Sequence, residues 1–268
     1  MSNLALLQLE IDQFAESENN LNICLKHFKK QLDRLGQAAV YGILGVLYFK
    51  WAKLDKSIET YQNAFEIYRE LNQIKEQITC LKGIGTSQLK LNQFDKAIDT
   101  FLECSAICSD NNDIYNFLDC LGNLVLIYEK EQKWDVVLEL YKKTLDAFEK
   151  LGDNKGIIVT YFNLGTLQKR SNKFDNALVY FKKGTNLAID SNFSELIIKG
   201  LTYIGEISFY QGNIKLAKDQ YIKALDLAMK INDNNSTIQI KIILNSFGLN
   251  EDEINRELKE YQKQKNKK

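Results

Sequence analysis

The apolar positions of this chain follow a helical spacing that recurs in blocks of forty residues. In one block, residues 161–168 place an aromatic residue, a leucine, a glycine and a glutamine at positions i, i+3, i+4 and i+7, which is one face of a helix. After a polar break, Phe174, Ala177 and Phe181 repeat the same spacing. Each block therefore predicts two amphipathic helices joined by a short turn, here called the first and the second helix.

Equivalent positions recur over five blocks without insertion or deletion. The columns are a small residue (Gly45, Gly85, Val125, Gly165, Gly205), an aromatic residue (Tyr61, Phe101, Tyr141, Phe181, Tyr221) and a second small residue (Ala64, Cys104, Thr144, Gly184, Ala224). Small residues let two helices approach closely, and aromatic side chains fill the space around them. Because one hairpin cannot bury its apolar stripe alone, the repeat predicts an all-α solenoid of stacked hairpins.

Polar residues punctuate the predicted helices at equally regular intervals. Glycine and asparagine tolerate the left-handed conformation that ends many helices, and they recur at Asn72, Asn112, Gly152, Asn192 and Asn232 and again at Asn92, Asn172 and Gly212. An aspartate column, Asp55, Asp95, Asp135 and Asp175, is expected to lie just before the second helices. These carboxylates are expected to cap the second helices.

The five blocks span residues 38–231, and the flanking segments are predicted to be weaker copies. Residues 1–36 are expected to form an N-terminal capping hairpin, and residues 235–264 a C-terminal one with Ile254 and Tyr261 in the repeat columns. Residues 265–268 are expected to be a frayed basic tail. The whole chain, residues 1–268, is thus predicted to be a single solenoid.

These columns make the chain similar to tetratricopeptide repeat (TPR) proteins, of the forty-residue kind found in kinesin-light-chain-like arrays. The resemblance covers residues 38–231 well and the ends weakly. The sequence departs from the family pattern in having no proline between repeats, Val125 for glycine, and Ser57 and Val137 for alanine. The resemblance implies a right-handed superhelix of about seven antiparallel hairpins, whose first helices line a concave groove that binds a partner segment.

Composition narrows the classes of function. The 268 residues contain no proline, which disfavours helix breaks, and 35 Lys plus Arg balance 35 Asp plus Glu. A net charge of zero argues against a nucleic-acid partner. The first ten residues carry no basic leader, and the longest apolar run, residues 41–49, is too short to span a bilayer. We therefore expect a cytoplasmic protein without membrane insertion.

Candidate chemistry is sparse. His27 is the single histidine, and no phosphate-loop, dinucleotide-binding or HExxH motif is present, so we expect no enzymatic activity and no cofactor. Five cysteines, an odd number, favour reduced thiols. Four of them, Cys80, Cys104, Cys108 and Cys120, fall within 41 residues. A zinc site would need three or four converging ligands, whereas packing alone explains Cys104 in its small-residue column, so we expect core thiols and no metal.

Partner-binding candidates lie on the face of the first helices opposite the core stripe, which lines the groove in TPR arrays. A basic column is expected to attract acidic groups, asparagine amides to hold an extended backbone, and exposed aromatic residues to add apolar area. The candidates are Lys50, Lys82, Lys90, Asn123, Lys130, Phe162, Asn163, Arg170, Tyr203, Phe209 and Tyr210. The carboxylate clamp by which some TPR domains bind chaperone tails is not expected, because Thr86, Val159 and Asn163 occupy three of its five positions.

The sequence thus predicts a non-enzymatic protein–protein interaction scaffold that binds an acidic segment with apolar anchors. Two alternatives remain. One is a structural or assembly subunit of a larger complex, with self-association possible. The other is a peptide-sensing regulator lacking its own DNA-binding domain, because the repeat begins almost at Met1.

Overall fold

The computed structural model describes residues 13–265, and within them the chain forms thirteen α-helices and no β-strand, which confirms the predicted all-α class. The helices are α1 (Phe14–Lys30), α2 (Arg34–Lys50), α3 (Leu54–Glu70), α4 (Ile74–Lys90), α5 (Phe94–Asp110), α6 (Ile114–Lys130), α7 (Trp134–Leu151), α8 (Asn154–Arg170), α9 (Phe174–Asp190), α10 (Ser194–Tyr210), α11 (Ile214–Lys230), α12 (Asn234–Ser246) and α13 (Glu251–Lys265). Within this described range no helix is both long and apolar enough to cross a lipid bilayer.

Helix starts recur at intervals of forty residues. The second helices α1, α3, α5, α7, α9 and α11 begin at residues 14, 54, 94, 134, 174 and 214, and the first helices α2, α4, α6, α8, α10 and α12 at residues 34, 74, 114, 154, 194 and 234. Turns of two or three residues join consecutive helices as far as α12. Within each of the two units described next, such short turns force neighbouring helices to run antiparallel.

The chain divides into two compact units, unit 1 ending at Lys133 and unit 2 beginning at Trp134. Unit 1 contains α1–α6, and each of these helices packs on the next along the chain. Unit 2 contains α7–α13 and is built in the same way as far as α12. A single solenoid over residues 1–268 stays a prediction.

On four of the first helices, α2, α4, α8 and α10, a glycine packs against the aromatic ring of the following second helix. A Cβ added to any of these glycines would lie 3.0 Å or less from the ring: Gly45 against Tyr61 at 2.8 Å, Gly85 against Phe101 at 2.7 Å, Gly165 against Phe181 at 2.6 Å and Gly205 against Tyr221 at 3.0 Å. No real side chain fits such a gap without displacing the ring. The predicted role of the glycine column in close helix approach is therefore confirmed at these four sites.

The helix ends adopt the left-handed conformation that the Asn and Gly columns predicted. All eight positions have φ between 54° and 77°, and at the end of α3 the amide of Gln73 donates to the Tyr68 carbonyl at 2.9 Å, as in a Schellman cap. Leu32, Ala52 and Gln132 take the same conformation, with φ of 57°, 58° and 57°. Here the repeat geometry overrides a side chain that disfavours it.

The expected capping by the aspartate column is wrong. Asp55, Asp95 and Asp175 lie inside the first turn of α3, α5 and α9, and no side chain caps these helices. The carboxylates still meet the positive end of the helix dipole. An aspartate caps four of the first helices instead: Asp33 accepts from the amide of Gly36, Asp113 from Asn116, Asp153 from Gly156 and Asp233 from Ser236.

The two ends differ in how much of the expected hairpins is described. Of the N-terminal hairpin, residues 1–12 lie outside the described residues, and α1 buries Leu21 fully in the core beside α2. At the other end, α13 packs on α11, with Ile254 buried in the core that α11 supplies. Of the expected tail, Lys265 ends α13 and residues 266–268 lie outside the described range.

A buried carboxylate fastens α13 to α11. Asp226 accepts hydrogen bonds from Lys230 Nζ at 2.6 Å and from Gln262 Nε2 at 2.8 Å. Burial by itself would raise the pKa of Asp226, but these hydrogen bonds outweigh it and hold the pKa below its ordinary value.

Ala52→Gly should stabilise the protein. Relief of the left-handed strain outweighs the entropy that glycine loses on folding, for a gain of about 0.5–1 kcal/mol. Asn92→Gly is the matched control and should change little, because asparagine tolerates φ of 56°. Urea denaturation measures both. A lower midpoint for Ala52→Gly would contradict the strain at this turn.

Ala177→Phe should destabilise unit 2. Ala177 is fully buried beside Phe181, so a phenyl group there would overpack the core and cost about 1–3 kcal/mol. Val179→Phe, two residues along the same helix at a half-exposed site, should stay within about 0.5 kcal/mol of wild type. Thermal unfolding followed by circular dichroism separates the two, and equal melting temperatures would exclude tight packing at Ala177.

Candidate partner-binding surfaces

In unit 1 the predicted basic column ends the three first helices. Lys50, Lys90 and Lys130 are the last residues of α2, α4 and α6, and all three are exposed. A cation at a helix C-terminus is favoured by the dipole, which gives each lysine a structural role as well. We call face 1 the surface that these three lysines form together with Gly42, Val46, Gly122 and Leu126 of the same helices.

Aromatic rings position two of these lysines. Lys90 Nζ lies 3.9 Å from the centre of the Phe49 ring, and Lys130 Nζ lies 4.9 Å from that of Phe94. A cation over an aromatic face is attracted to it and keeps its outer side hydrated. Within residues 13–265, no ion pair joins Lys50, Lys90 or Lys130 to a carboxylate. Their charge is available to a ligand.

Lys82 differs from these three lysines, because it already forms an ion pair with a carboxylate. Its Nζ lies 2.6 Å from Asp119 Oδ2 and 2.7 Å from Asn116 Oδ1, both on α6. Lys82 therefore ties α4 to α6 and contributes little unmatched positive charge to face 1. Asn123 is also partly engaged, since its Nδ2 donates to the Asp119 carbonyl one turn earlier at 2.9 Å.

Two glycines open space on face 1. Gly42 and Gly122 occupy the repeat position of Lys82 on the neighbouring first helices, and a Cβ added to either would meet no atom within 4 Å. One turn further on, Val46 is 39% exposed and Leu126 is 60% exposed. Face 1 thus offers apolar side chains beside open helix backbone. The sequence analysis did not predict this feature, because Gly42 and Gly122 lie outside the glycine column that packs in the core.

In unit 2, the residues predicted on α8 and α10 divide into an exposed set and a buried set. Arg170 and Asn163 are exposed, and the Arg170 guanidinium carbon lies 5.7 Å from the centre of the Trp134 ring. Phe209 and Tyr210 are about half exposed, with Tyr210 stacked on Phe174 at 5.5 Å between ring centres. We call these four exposed side chains of α8 and α10 face 2.

The predicted exposure of Phe162 is wrong. The side chain is 2% exposed, and its ring fills the space over Gly184 and Gly200 on the two neighbouring helices. Tyr203 is only partly exposed, with its ring 5.5 Å from that of Phe162 and stacked at 4.7 Å on Phe181. These two aromatic residues are core components that hold α8, α9 and α10 together, so neither presents an open anchoring site.

The other candidate groups that the sequence singled out are a histidine and the cysteines. His27 is exposed on α1. In the part of the chain that the structure describes, the single group of three or more potential metal ligands is Cys104, Cys108 and Cys120, all buried. Cys80 lies outside that group and is buried as a separate core thiol.

Comparisons with known proteins agree with this geometry. Family models described as tetratricopeptide repeat match residues 38–70 and 118–190. A search of curated proteins finds no match. Among solved structures, the apo form of RapI shares 16% identity over 87% of this chain and 98% of its own, with a TM-score of 0.58.

Two further structures resemble the chain to a similar degree. BtubC (BKLC) from P. vanneervenii is 18% identical over 84% of this chain and 92% of its own, with a TM-score of 0.59. Aspartyl phosphate phosphatase F from Bacillus subtilis is 15% identical over 94% of this chain and 70% of its own, with a TM-score of 0.56. Such low identities show a shared fold alone and transfer no activity. The two family-model matches show that residues 38–70 and 118–190 of this chain consist of tetratricopeptide repeats.

Proposed function

We propose that this protein is a non-enzymatic interaction scaffold whose face 1 binds an extended partner segment carrying acidic residues and apolar anchors. Its tetratricopeptide repeats support a protein or peptide partner in general. The observation that carries the finer proposal is the row of Lys50, Lys90 and Lys130, whose charges have no carboxylate partner within the described residues. Positive charge repeated on successive helices attracts a chain whose acidic groups are similarly spaced.

The exposed apolar residues supply the second part of the recognition. Val46 lies one helical turn after Gly42, and Leu126 one turn after Gly122. Each exposed apolar side chain therefore neighbours a stretch of helix surface that no side chain covers. A leucine or phenylalanine of the partner can pack there while its acidic neighbours meet the lysines. Burying such anchors gives most of the affinity in typical interfaces, and the charges give rate and specificity.

The glycines themselves support close approach by a partner backbone. Glycine inside a helix is less favourable than alanine by about 1 kcal/mol, so its presence needs a reason. Within the described helices, every other helical glycine has a neighbour in the position that a Cβ would take, whereas Gly42 and Gly122 face open space. A bound backbone lying against α2 and α6 supplies the missing reason.

Face 2 is proposed to bind a more aromatic or apolar part of a partner. Phe209 and Tyr210 offer exposed ring area, while Arg170 and Asn163 offer donors for carboxylate and backbone groups. Lys82 is proposed to hold α6 against α4 and so to fix the position of face 1. Asn123 is proposed to offer a partner the hydrogen-bonding groups of its amide other than the one that Asp119 accepts.

A display library of random twelve-residue peptides tests the proposed recognition on the intact protein. Wild type should enrich peptides that combine Asp or Glu with Leu or Phe. Lys90→Glu with Lys130→Glu should weaken binding of a selected peptide by about tenfold or more, since each exposed charge pair contributes up to about 1 kcal/mol and reversal adds repulsion. Wild-type binding should weaken with added salt because exposed charges are screened.

The matched control reverses two exposed lysines on second helices of the same unit. Lys26→Glu with Lys96→Glu changes the net charge equally but leaves face 1 intact, so the peptide should bind as it does to wild type. An equal loss of peptide affinity in both double variants would show that only the net charge of the protein matters. No loss of affinity in either would exclude face 1 as the binding surface. Arg170→Glu reports separately on face 2.

Gly42→Ala and Gly122→Ala should stabilise the protein and weaken binding at once. Each should add up to about 1 kcal/mol of stability from helix propensity, yet its methyl group would obstruct a peptide backbone. Gly85→Ala is the contrasting control, because its Cβ would lie 2.7 Å from the Phe101 ring and lower stability. Urea denaturation and peptide titration measure the two effects, and stabilised variants that bind the selected peptide like wild type would contradict backbone contact.

A further inference from the structure

Three thiols converge in the core of unit 1. Cys104 and Cys108 lie one turn apart on α5, Cys120 lies on α6, and their sulfur atoms are all within 4.8 Å of one another. All three side chains are fully buried. No histidine, aspartate or glutamate of the described chain joins this group.

Packing in the repeat does not require sulfur at any of these three positions. Forty and eighty residues away, the position of Cys104 holds Cys, Ala, Thr or Gly, that of Cys108 holds Phe, Tyr or Ala, and that of Cys120 holds Val, Cys, Thr or Gly. Each position accepts side chains of different size and chemistry. Only in this row do all three carry sulfur, and this row brings the sulfurs together.

We propose that Cys104, Cys108 and Cys120 form a three-coordinate thiolate site for a soft monovalent cation, Cu(I). Metal–thiolate bonds are about 2.3 Å long, so three sulfurs around one ion stand about 4 Å apart. Sulfurs already within 4.8 Å of one another reach that geometry by small side-chain rotations. Thiolates are the ligands that soft ions such as Cu(I) prefer.

The absence of a fourth ligand in the described chain favours Cu(I) over zinc. Structural zinc sites are closed by four ligands, and catalytic ones complete their shell with water. Here burial of all three cysteines keeps water from a fourth position. Three sulfurs in a dry apolar core therefore suit an ion that accepts three-coordination.

Burial and mutual hydrogen bonds shift the pKa values of the three thiols in different directions. A hydrogen bond from Cys104, helped by the nearby Lys82 ammonium, lowers the pKa of Cys120. Burial raises the pKa of Cys108 to about 12, and the hydrogen bond to Cys120 raises that of Cys104. A bound ion replaces the thiol protons, which are released to solvent, so apparent Cu(I) affinity should rise with pH.

The experiment titrates the reduced full-length protein with Cu(I) under anaerobic conditions against a competing chromogenic chelator. Because the sulfurs are buried, loading requires local opening between α5 and α6, and each point is left to equilibrate. Wild type should retain one Cu(I) per chain after gel filtration. X-ray absorption of this complex should show three sulfur ligands and no nitrogen or oxygen, a result that needs no variant to fold.

Each variant replaces a cysteine by a residue found at the equivalent position of another repeat. Cys104→Ala introduces the residue found at Ala64, Cys108→Ala that at Ala188, and Cys120→Thr that at Thr160. Each should lower Cu(I) affinity by more than about 100-fold, beyond the 10–100-fold that loss of an outer-shell partner typically costs. Cys80→Thr removes a buried thiol from the position equivalent to Cys120 in the preceding row and should leave affinity unchanged.

The outcomes separate a built site from adventitious thiol binding. One tightly held Cu(I), lost in the three variants and kept in Cys80→Thr, supports the site. Equal losses in all four variants, preference for Zn(II) over Cu(I), or nitrogen and oxygen ligands in the absorption spectrum would each overturn it. Far-ultraviolet circular dichroism of every variant distinguishes loss of ligand from loss of fold.

Discussion

The contact between a first-helix glycine and the aromatic ring on the following second helix is the constraint on which the rest of this structure depends, and it is made at Gly45, Gly85, Gly165 and Gly205. With no Cβ in the way, the ring of Tyr61 lies against the backbone at Gly45, and Phe181 lies in the same way against Gly165. This contact fixes the rotation of the first helix about its axis. Five residues after the glycine, Lys50 and Arg170 are then held at exposed helix ends, so the core contact also determines which side chains face solvent.

Much of the fold was predictable because its causes are local and repeated. The pattern of small and aromatic side chains that recurs every forty residues predicts the hairpins. Asn92 and Gly212 predict left-handed turns because these residue types tolerate that conformation. The predictions failed where the outcome depends on a neighbour. Asp55 lies within α3 although its chemistry suits a cap, and Ala52 takes the turn conformation because the flanking helices impose it.

The candidate surfaces were less predictable for the same reason. Phe162 shares its repeat position with Gly42 and Gly122, which both face open space, yet it is buried because Gly184 and Gly200 leave room for its ring on the neighbouring helices. The helical position of a residue indicates the direction of its side chain, but only the neighbouring helices show whether that direction leads to solvent.

In a repeat protein, columns that stay alike build the fold, so positions that vary from row to row are available for function. In unit 1 three such positions meet on one turn of α6. Asp119 pairs with Lys82, Cys120 points into the thiol cluster, and Gly122 opens face 1. The proposed peptide surface and the proposed ion site thus share a helix, on opposite sides of it. An ion that fastens α5 to α6 from within would also restrain the surface that α6 presents outside, since a rigid helix transmits small shifts across its own diameter.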